Sequence, residues 1–272
     1  MHCPCCFSQT AHSLADVGQY RAWRCGDCGS DWIDRNALKM NPPPVYDSYD
    51  HNVNVFREFA EIKDQYLTSF TRRLRRSVPS GSSAKAFLDF GCAGGEYLCC
   101  ARETGFQEAW GVEVDAEAKE HARQYGRVET DLSDFPSNYF DVVQAKNVLS
   151  NLDHLEETML ELKRVLKPGG TMWLDVLNQD SMNAFIRRLV PTVNKGHRFG
   201  YLRPPYVVTT FTEKGVRRLL KRHNLRVDRI RARHFGSVDV PRQLPPRKLW
   251  WGRFSSLVGK GSVWVCDAQD TA

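Results

Sequence analysis

The chain has 272 residues and a mass of 31.2 kDa, room for one full α/β domain and a small accessory module. No apolar run approaches the roughly 18–20 residues of a membrane-spanning helix, and the opening MHCPCC lacks the charged and apolar regions of a signal peptide. The net charge of +6 is unevenly spread: residues 1–160 hold 16 Lys and Arg against 24 Asp and Glu, and residues 161–272 hold 22 against 8. That asymmetry points either to an anionic partner on the C-terminal side (phosphate, nucleic acid or an acidic membrane surface) or to arginine-rich faces that are simply solvated. Nine cysteines without an export signal are expected to be reduced thiols in a cytoplasmic setting.

In chain order, Cys3, Cys6, Cys25 and Cys28 form two C-x-x-C pairs at the spacing of a closed four-thiolate zinc site. Between the pairs, GQYRAWRC alternates like a strand, so residues 1–40 are expected to form a zinc ribbon. Cys5 leaves some ambiguity of register. Four thiolate ligands leave no position for substrate, so the zinc is structural, and a module this small needs metal to fold.

Asn41-Pro42-Pro43-Pro44 reads as a stiff extended linker opening a second segment, 41–80. A helix follows, with apolar positions at Val55, Phe59, Ile62, Tyr66, Phe70 and Leu74. Arg72, Arg73, Arg75 and Arg76 are expected to form its solvated face. Tyr46, Tyr49 and His51 either line a cofactor entrance or staple the helix.

The third segment, 81–272, opens with the most informative stretch. An apolar strand carrying Asp89 runs into the turn Gly91-Cys92-Ala93-Gly94-Gly95, and a second strand ends on Glu113-Val114-Asp115. Strand, glycine turn, helix, strand and terminal acid describe a nucleoside crevice at the carboxyl edge of a parallel sheet. A dinucleotide fingerprint would place glycines where Ala93 and Glu96 stand. Asp89 and Glu96 flanking the turn would repel a pyrophosphate but attract an ammonium and a sulfonium. Glu113 sits where an acid can accept hydrogen bonds from both ribose hydroxyls, so the pattern favours S-adenosylmethionine over NAD. Ala93 fits in place of a glycine if it keeps a negative φ, and Cys92, Cys99 and Cys100 are expected to pack as small apolar groups.

Residues from about 85 to 235 resemble the class I S-adenosylmethionine-dependent methyltransferases, especially the branch like the quinone-biosynthesis enzymes. LDFGCAGGEYL matches the first motif and Glu113 ends the second. Asp131 in ETDLSDFP matches the acidic position beside the adenine, and Phe140-Asp141-Val142-Val143 opens the fourth motif. Helix, L-K-P-G-G, then the strand TMWLDVL completes the signature. The resemblance implies a Rossmann-like, seven-stranded, mostly parallel sheet with helices on both faces. It also implies cofactor contacts from Asp89, Gly91, Cys92, Ala93, Gly95, Glu113, Val114, Asp131, Leu132 and Asn147. Two departures matter. Ser150-Asn151 stands where relatives often have Glu-His, and Pro204-Pro205-Tyr206-Val207 replaces P-P-x-H.

Past Leu177 lies the expected substrate insertion, where His197 and then Tyr206 are the candidate general bases, with His154 third. Thr212 is expected to cap the helix EKGVRRLLKRH. LRVDRIRARH and SVWVCDA then read as the closing strands, the last antiparallel. Between them PRQLPPRKLWWGRFSSLVGK mixes cations with tryptophans, as interfacial membrane helices and nucleic-acid platforms do, or as a packed hairpin would. The expected activity is methyl transfer to a small-molecule or glycan acceptor, lipid-linked glycans included, at a hydroxyl, by a cytoplasmic protein that touches the membrane surface. An RNA methyltransferase and a non-catalytic cofactor-binding module are the alternatives. No N-P-P-[YF] amino-methylation motif follows the fourth strand, where Gln144-Ala145-Lys146-Asn147 stands.

Overall fold

The computed structural model describes residues 2–17, 20–34, 59–78, 84–189, 201–204, 206–233 and 261–271. His197, Tyr46, Tyr49, His51, the Pro42–44 linker and the tryptophan-rich stretch 241–260 lie outside the described residues. Among the described residues no helix is long and apolar enough to cross a membrane.

Seven strands form the main sheet: β4 (Ala86–Phe90), β5 (Glu108–Val112), β6 (Arg127–Glu129), β7 (Phe140–Lys146), β8 (Leu166–Leu177), β10 (Leu225–Arg233) and β11 (Val263–Asp270). Their order is β10-β11-β8-β7-β4-β5-β6, and β11 alone runs counter to its neighbours. The expected Rossmann-like sheet is thus present, antiparallel last strand included. The chain order reverses beside β4, with β7 on one side and β5 on the other, and such a switch point opens a crevice outside the carboxyl ends of the strands.

Helices cover both faces. On one lie α1 (Phe59–Ser77) and α2 (Glu96–Glu103); α3 (Ala116–Ala122) lies between β5 and β6 and adds Ala122 to the same cluster. On the other lie α4 (Leu155–Val165) and α6 (Glu213–Arg222), and α5 (Met182–Leu189) comes between them in the chain. Helix α1 buries Phe59, Ile62, Tyr66 and Phe70, spaced three and four apart on one stripe. Phe70 meets the rings of Phe87 and Trp173 edge-on, each at 5.3 Å. A fully buried Phe of this kind is worth about 1.5–3 kcal/mol of transfer free energy. Helix α6 starts at Thr212, whose hydroxyl accepts from Gly215 N, as its position before a basic amphipathic run foretold.

The arginine row on α1 is not uniformly solvated. Arg73 is largely buried, its side chain 12% exposed, and donates to Asp267 Oδ1 at 2.8 Å, Asp175 Oδ1 at 2.9 Å and Cys266 O at 2.9 Å, with its guanidinium 5.0 Å from the Trp173 ring centre. Two carboxylates supplied by β8 and β11 draw it inward, and so large a burial of charge is tolerated only because it is paired.

The N-terminal strands β1 (Ala11–Val17), β2 (Tyr20–Cys25) and β3 (Asp31–Ile33) form a second sheet, completed by β9 (Thr209–Thr210) from the far part of the chain. Asp31 pairs with Thr210 and Trp32 with Thr209. Asp31 is fully buried, takes a two-pronged pair from Arg24 at 2.7 and 2.8 Å, and accepts from Gln179 Nε2. Gln179 Oε1 accepts in turn from Thr210 Oγ1. Beyond β9, Thr212 Oγ1 donates to Cys28 O, so the cysteine knuckle rests on the first turn of α6.

Candidate functional site

The site is built around the turn between β4 and α2. Gly91 and Gly95 have φ of +77° and +87°, and a Cβ on Gly95 would approach Ala122 Cα to 2.9 Å. Glycine is therefore needed there for backbone freedom and for close approach of α3. Ala93 departs from expectation: its φ is +46°, not negative. The strain is offset locally, because Ala93 N donates to Glu113 Oε2 at 2.9 Å. Glu113 also accepts from Val114 N and Asp115 N, at 2.8 and 2.9 Å, so the buried carboxylate ties the glycine turn to the end of β5. His121 Nδ1 lies 2.8 Å from Gly94 O and holds the turn from α3.

Asp89 is buried at the end of β4, where it accepts from Gln144 Nε2 at 3.0 Å. Burial pushes its carboxyl up to about 7, against the Gln144 hydrogen bond, and Glu96 and Glu113 add to the rise. A carboxyl held so far from its ordinary value is poised for a cation that supplies the missing countercharge. Val114, by contrast, is 62% exposed, an apolar surface beside Glu113 of the kind that receives an adenine. Asp131 follows β6 and accepts from Ser133 N, which draws its carboxyl below the usual range, and Leu132 is buried beside it. Asn147 follows β7 in a left-handed conformation, φ +57°, with its amide hydrogen donated to Asp175 O. Its side-chain Oδ1 is buried with no hydrogen-bond partner among the described residues. An orphaned acceptor, a carboxyl lifted by burial and a turn too tight for side chains all fit a nucleoside ligand bearing an ammonium group.

Ten expected cofactor residues thus stand at the carboxyl ends of β4, β5, β6 and β7. Tyr206 does not join them: it lies in a turn bridged by Arg203 and Val207, and no hydrogen bond ties it to β4, β5 or β7 among the described residues. His154 is half-exposed and pairs with its neighbour Asp153. A narrow cleft opens next to Gln144, the hydrogen-bond partner of Asp89. Tyr97, Gln144, Lys146, Trp173 and Asp175 form its inner wall. Lys146 Nζ donates to Tyr97 OH and lies over that ring. Sequence reasoning had passed over Lys146 and Tyr97; the period-two spacing of Gln144 and Lys146 on β7 is the signal that puts both on the Asp89 side.

The sulfurs of Cys3, Cys6, Cys25 and Cys28 all lie within 4.8 Å of one another. Cys28 N donates to Cys25 Sγ, the knuckle geometry of a thiolate site. The donor set fits zinc, and Cys5, although fully buried, stays outside the quartet.

Residues 56–230 match the family model described as a methyltransferase domain. Ribosomal protein L11 methyltransferase of Burkholderia ambifaria is 38% identical over 107 residues, 37% of this chain and 34% of that one. The chain thus spans about a third of the length of the curated relatives it matches. Among solved structures, a chain from the complex of the Haloferax volcanii Trm112 methyltransferase activator and a putative methyltransferase aligns with a TM-score of 0.60 at 17% identity, covering 84% of this chain and 100% of that one. An S-adenosylmethionine-dependent methyltransferase from Mesorhizobium loti aligns at 0.51 and 16% identity, covering 74% and 97%. These structures share the fold. The match over residues 56–230, more than half of the chain, places it in the methyltransferase-domain family.

Proposed function

We propose that the protein moves the methyl group of S-adenosylmethionine to a hydroxyl of a small molecule or glycan, lipid-linked glycans included. The observation that carries this reading is the polar cleft that Tyr97, Gln144, Lys146 and Asp175 line next to Asp89, where an acceptor hydroxyl would find hydrogen-bonding partners. Bound S-adenosylmethionine would supply an electrophilic methyl on a good leaving group. The protein's part is then to hold the acceptor in line and exclude water. Asp89, the turn 91–95, Glu113, Val114, Asp131, Leu132 and Asn147 hold the cofactor in this reading. Lys146 and Tyr97 face the acceptor, where the Lys146–Tyr97 pair offers hydrogen-bond donors that orient its hydroxyl while the hydroxyl proton leaves. His197 and Tyr206 remain candidates for that proton.

The division into a zinc ribbon (1–40), linker and lid (41–80) and methyltransferase domain (81–272) belongs to the same proposal, as does the likeness to the quinone-biosynthesis branch. The ribbon is structural in this account: through Asp31, Gln179 and β9 it braces the segment after β8. A cytoplasmic location with contact to an anionic membrane surface rests on the basic, tryptophan-rich stretch 241–260. A protein acceptor is the second reading, favoured by the relatives named for ribosomal protein L11. RNA is the third, favoured by the basic residues of 161–272.

The test incubates the full chain with methyl-labelled cofactor and a lysate separated into small-molecule, lipid-glycan, protein and RNA pools. Label in either of the first two supports the proposal. Label in protein or RNA alone replaces it.

A further inference from the structure

The four strands on one side of the sheet set a row of side chains at a single level. Lys146 pairs with Asp175, Asp175 with Val265 and Val265 with Arg231, and Arg233 stands two residues further along β10. All five line the cleft, together with Arg72 and Arg73 from α1. Five cations therefore face a single carboxylate, Asp175.

That carboxylate is already engaged. Asp175 and its neighbour Asp267 both accept from Arg73, and Lys146 is bonded to Tyr97. Among the described residues Arg72, Arg231 and Arg233 have no ion-pair partner, and Arg231 Nε is buried without a hydrogen bond. Burial and the adjacent Arg233 and Arg229 lower the Arg231 guanidinium to about 10, and burial lowers Arg233 as well. A solvated arginine face would show none of this: water would satisfy the Nε and screen the repulsion. Arg72 is exposed, but Arg231 and Arg233 are half-buried, and a half-buried guanidinium pair without a counter-ion is stabilised by a ligand that brings the anion.

Resting on the reading of this cleft as the acceptor site, we infer that the acceptor carries a phosphate group, received by Arg231 and Arg233 on β10. Planar guanidinium forks match the oxygens of a phosphate, and clustered cations favour a multiply charged group over a lone carboxylate. Phosphomonoesters of soluble sugars and phosphodiesters or diphosphates of lipid-linked glycans share this chemistry. The reacting hydroxyl lies on the same molecule, between the phosphate and the turn.

The test has three parts. Pyrophosphate is titrated into the full chain and into Arg231→Gln and Arg233→Gln, with thermal stability and S-adenosylmethionine affinity measured in each. Wild type is expected to bind pyrophosphate at least about tenfold more tightly than either variant, the worth of one charge-assisted hydrogen bond. Cofactor affinity is expected to be equal in all three. The variants should melt no lower than wild type without pyrophosphate, since each loses a charge that lacks a partner. Equal pyrophosphate binding by wild type and both variants would overturn the inference.

In the third part, soluble and lipid-extracted acceptor pools are offered with labelled cofactor before and after phosphatase treatment, the lipid pool receiving phosphodiesterase and pyrophosphatase together with the phosphatase. Loss of label after phosphatase supports the inference and identifies the pool. Label that survives phosphatase in either pool refutes it while leaving the small-acceptor reading intact. Label lost to ribonuclease instead means that the small-acceptor reading has itself failed.

Discussion

Replacing Asp89 by asparagine is expected to stabilise the free protein while removing tight cofactor binding. The Asp89 carboxyl is buried and lifted from an ordinary 3.8 to about 7. Between those values the unfolded chain has lost its proton and the native protein has kept it. Native stability therefore falls as pH rises through the window from about 4 to about 7, and is level above it. At about 1.4 kcal/mol per unit, the ceiling on this cost is about 1.7 kcal/mol at pH 5 and about 4.5 kcal/mol at pH 8. Asparagine avoids the cost and still offers Oδ1 to Gln144 Nε2. Urea denaturation of Asp89→Asn and wild type, without cofactor, at pH 5 and pH 8 measures the difference directly. The variant should be the more stable protein, by a margin that widens toward pH 8. A variant less stable than wild type at pH 8, or a margin that does not change with pH, would refute the reasoning. Wild-type cofactor affinity should correspondingly weaken as pH falls below about 7, because a protonated Asp89 no longer faces the ammonium as an anion.

Other outcomes follow from the ribbon and the buried pairs. The purified chain should carry one zinc, released by a thiol-reactive mercurial, and Cys25→Ser should lower both metal content and melting temperature; a full-length chain of unchanged stability without metal would contradict the site. Asp31→Ala strands Arg24 and Gln179 and should cost about 3–5 kcal/mol in chemical denaturation, the usual penalty for breaking a buried pair. Arg73→Met leaves Asp175 and Asp267 buried without their cation and should cost a similar amount, with the loss reduced at low pH where the carboxylates protonate.

What the sequence disclosed and what it hid have physical explanations. The crevice was legible because its parts are local: β4, the turn and β5 follow one another within 27 residues, 86 to 112, and glycine and terminal acid each have one good reason to be there. The cysteine quartet was legible because knuckle spacing is a property of the backbone. Ala93 was misread because its left-handed conformation is paid for by Glu113, twenty residues away, rather than by its own side chain. Arg73 was misread for the same kind of reason at longer range. Its partners lie 102 and 194 residues on, and nothing in the periodicity of α1 separates it from Arg75 or Arg76. The pairing of β3 with the two-residue β9 has no sequence signature at all, since so short a strand shows no alternation. The acceptor wall emerges only when β8, β11 and β10 are laid side by side.

The most direct test of the cofactor site is calorimetric titration of the full chain with S-adenosylmethionine and, separately, with NAD. The account predicts one S-adenosylmethionine site per chain, weakened about a hundredfold by Glu113→Ala through loss of charged hydrogen bonds, and no binding of NAD. NAD binding as tight as that of S-adenosylmethionine, or S-adenosylmethionine affinity untouched by the loss of Glu113, would contradict it.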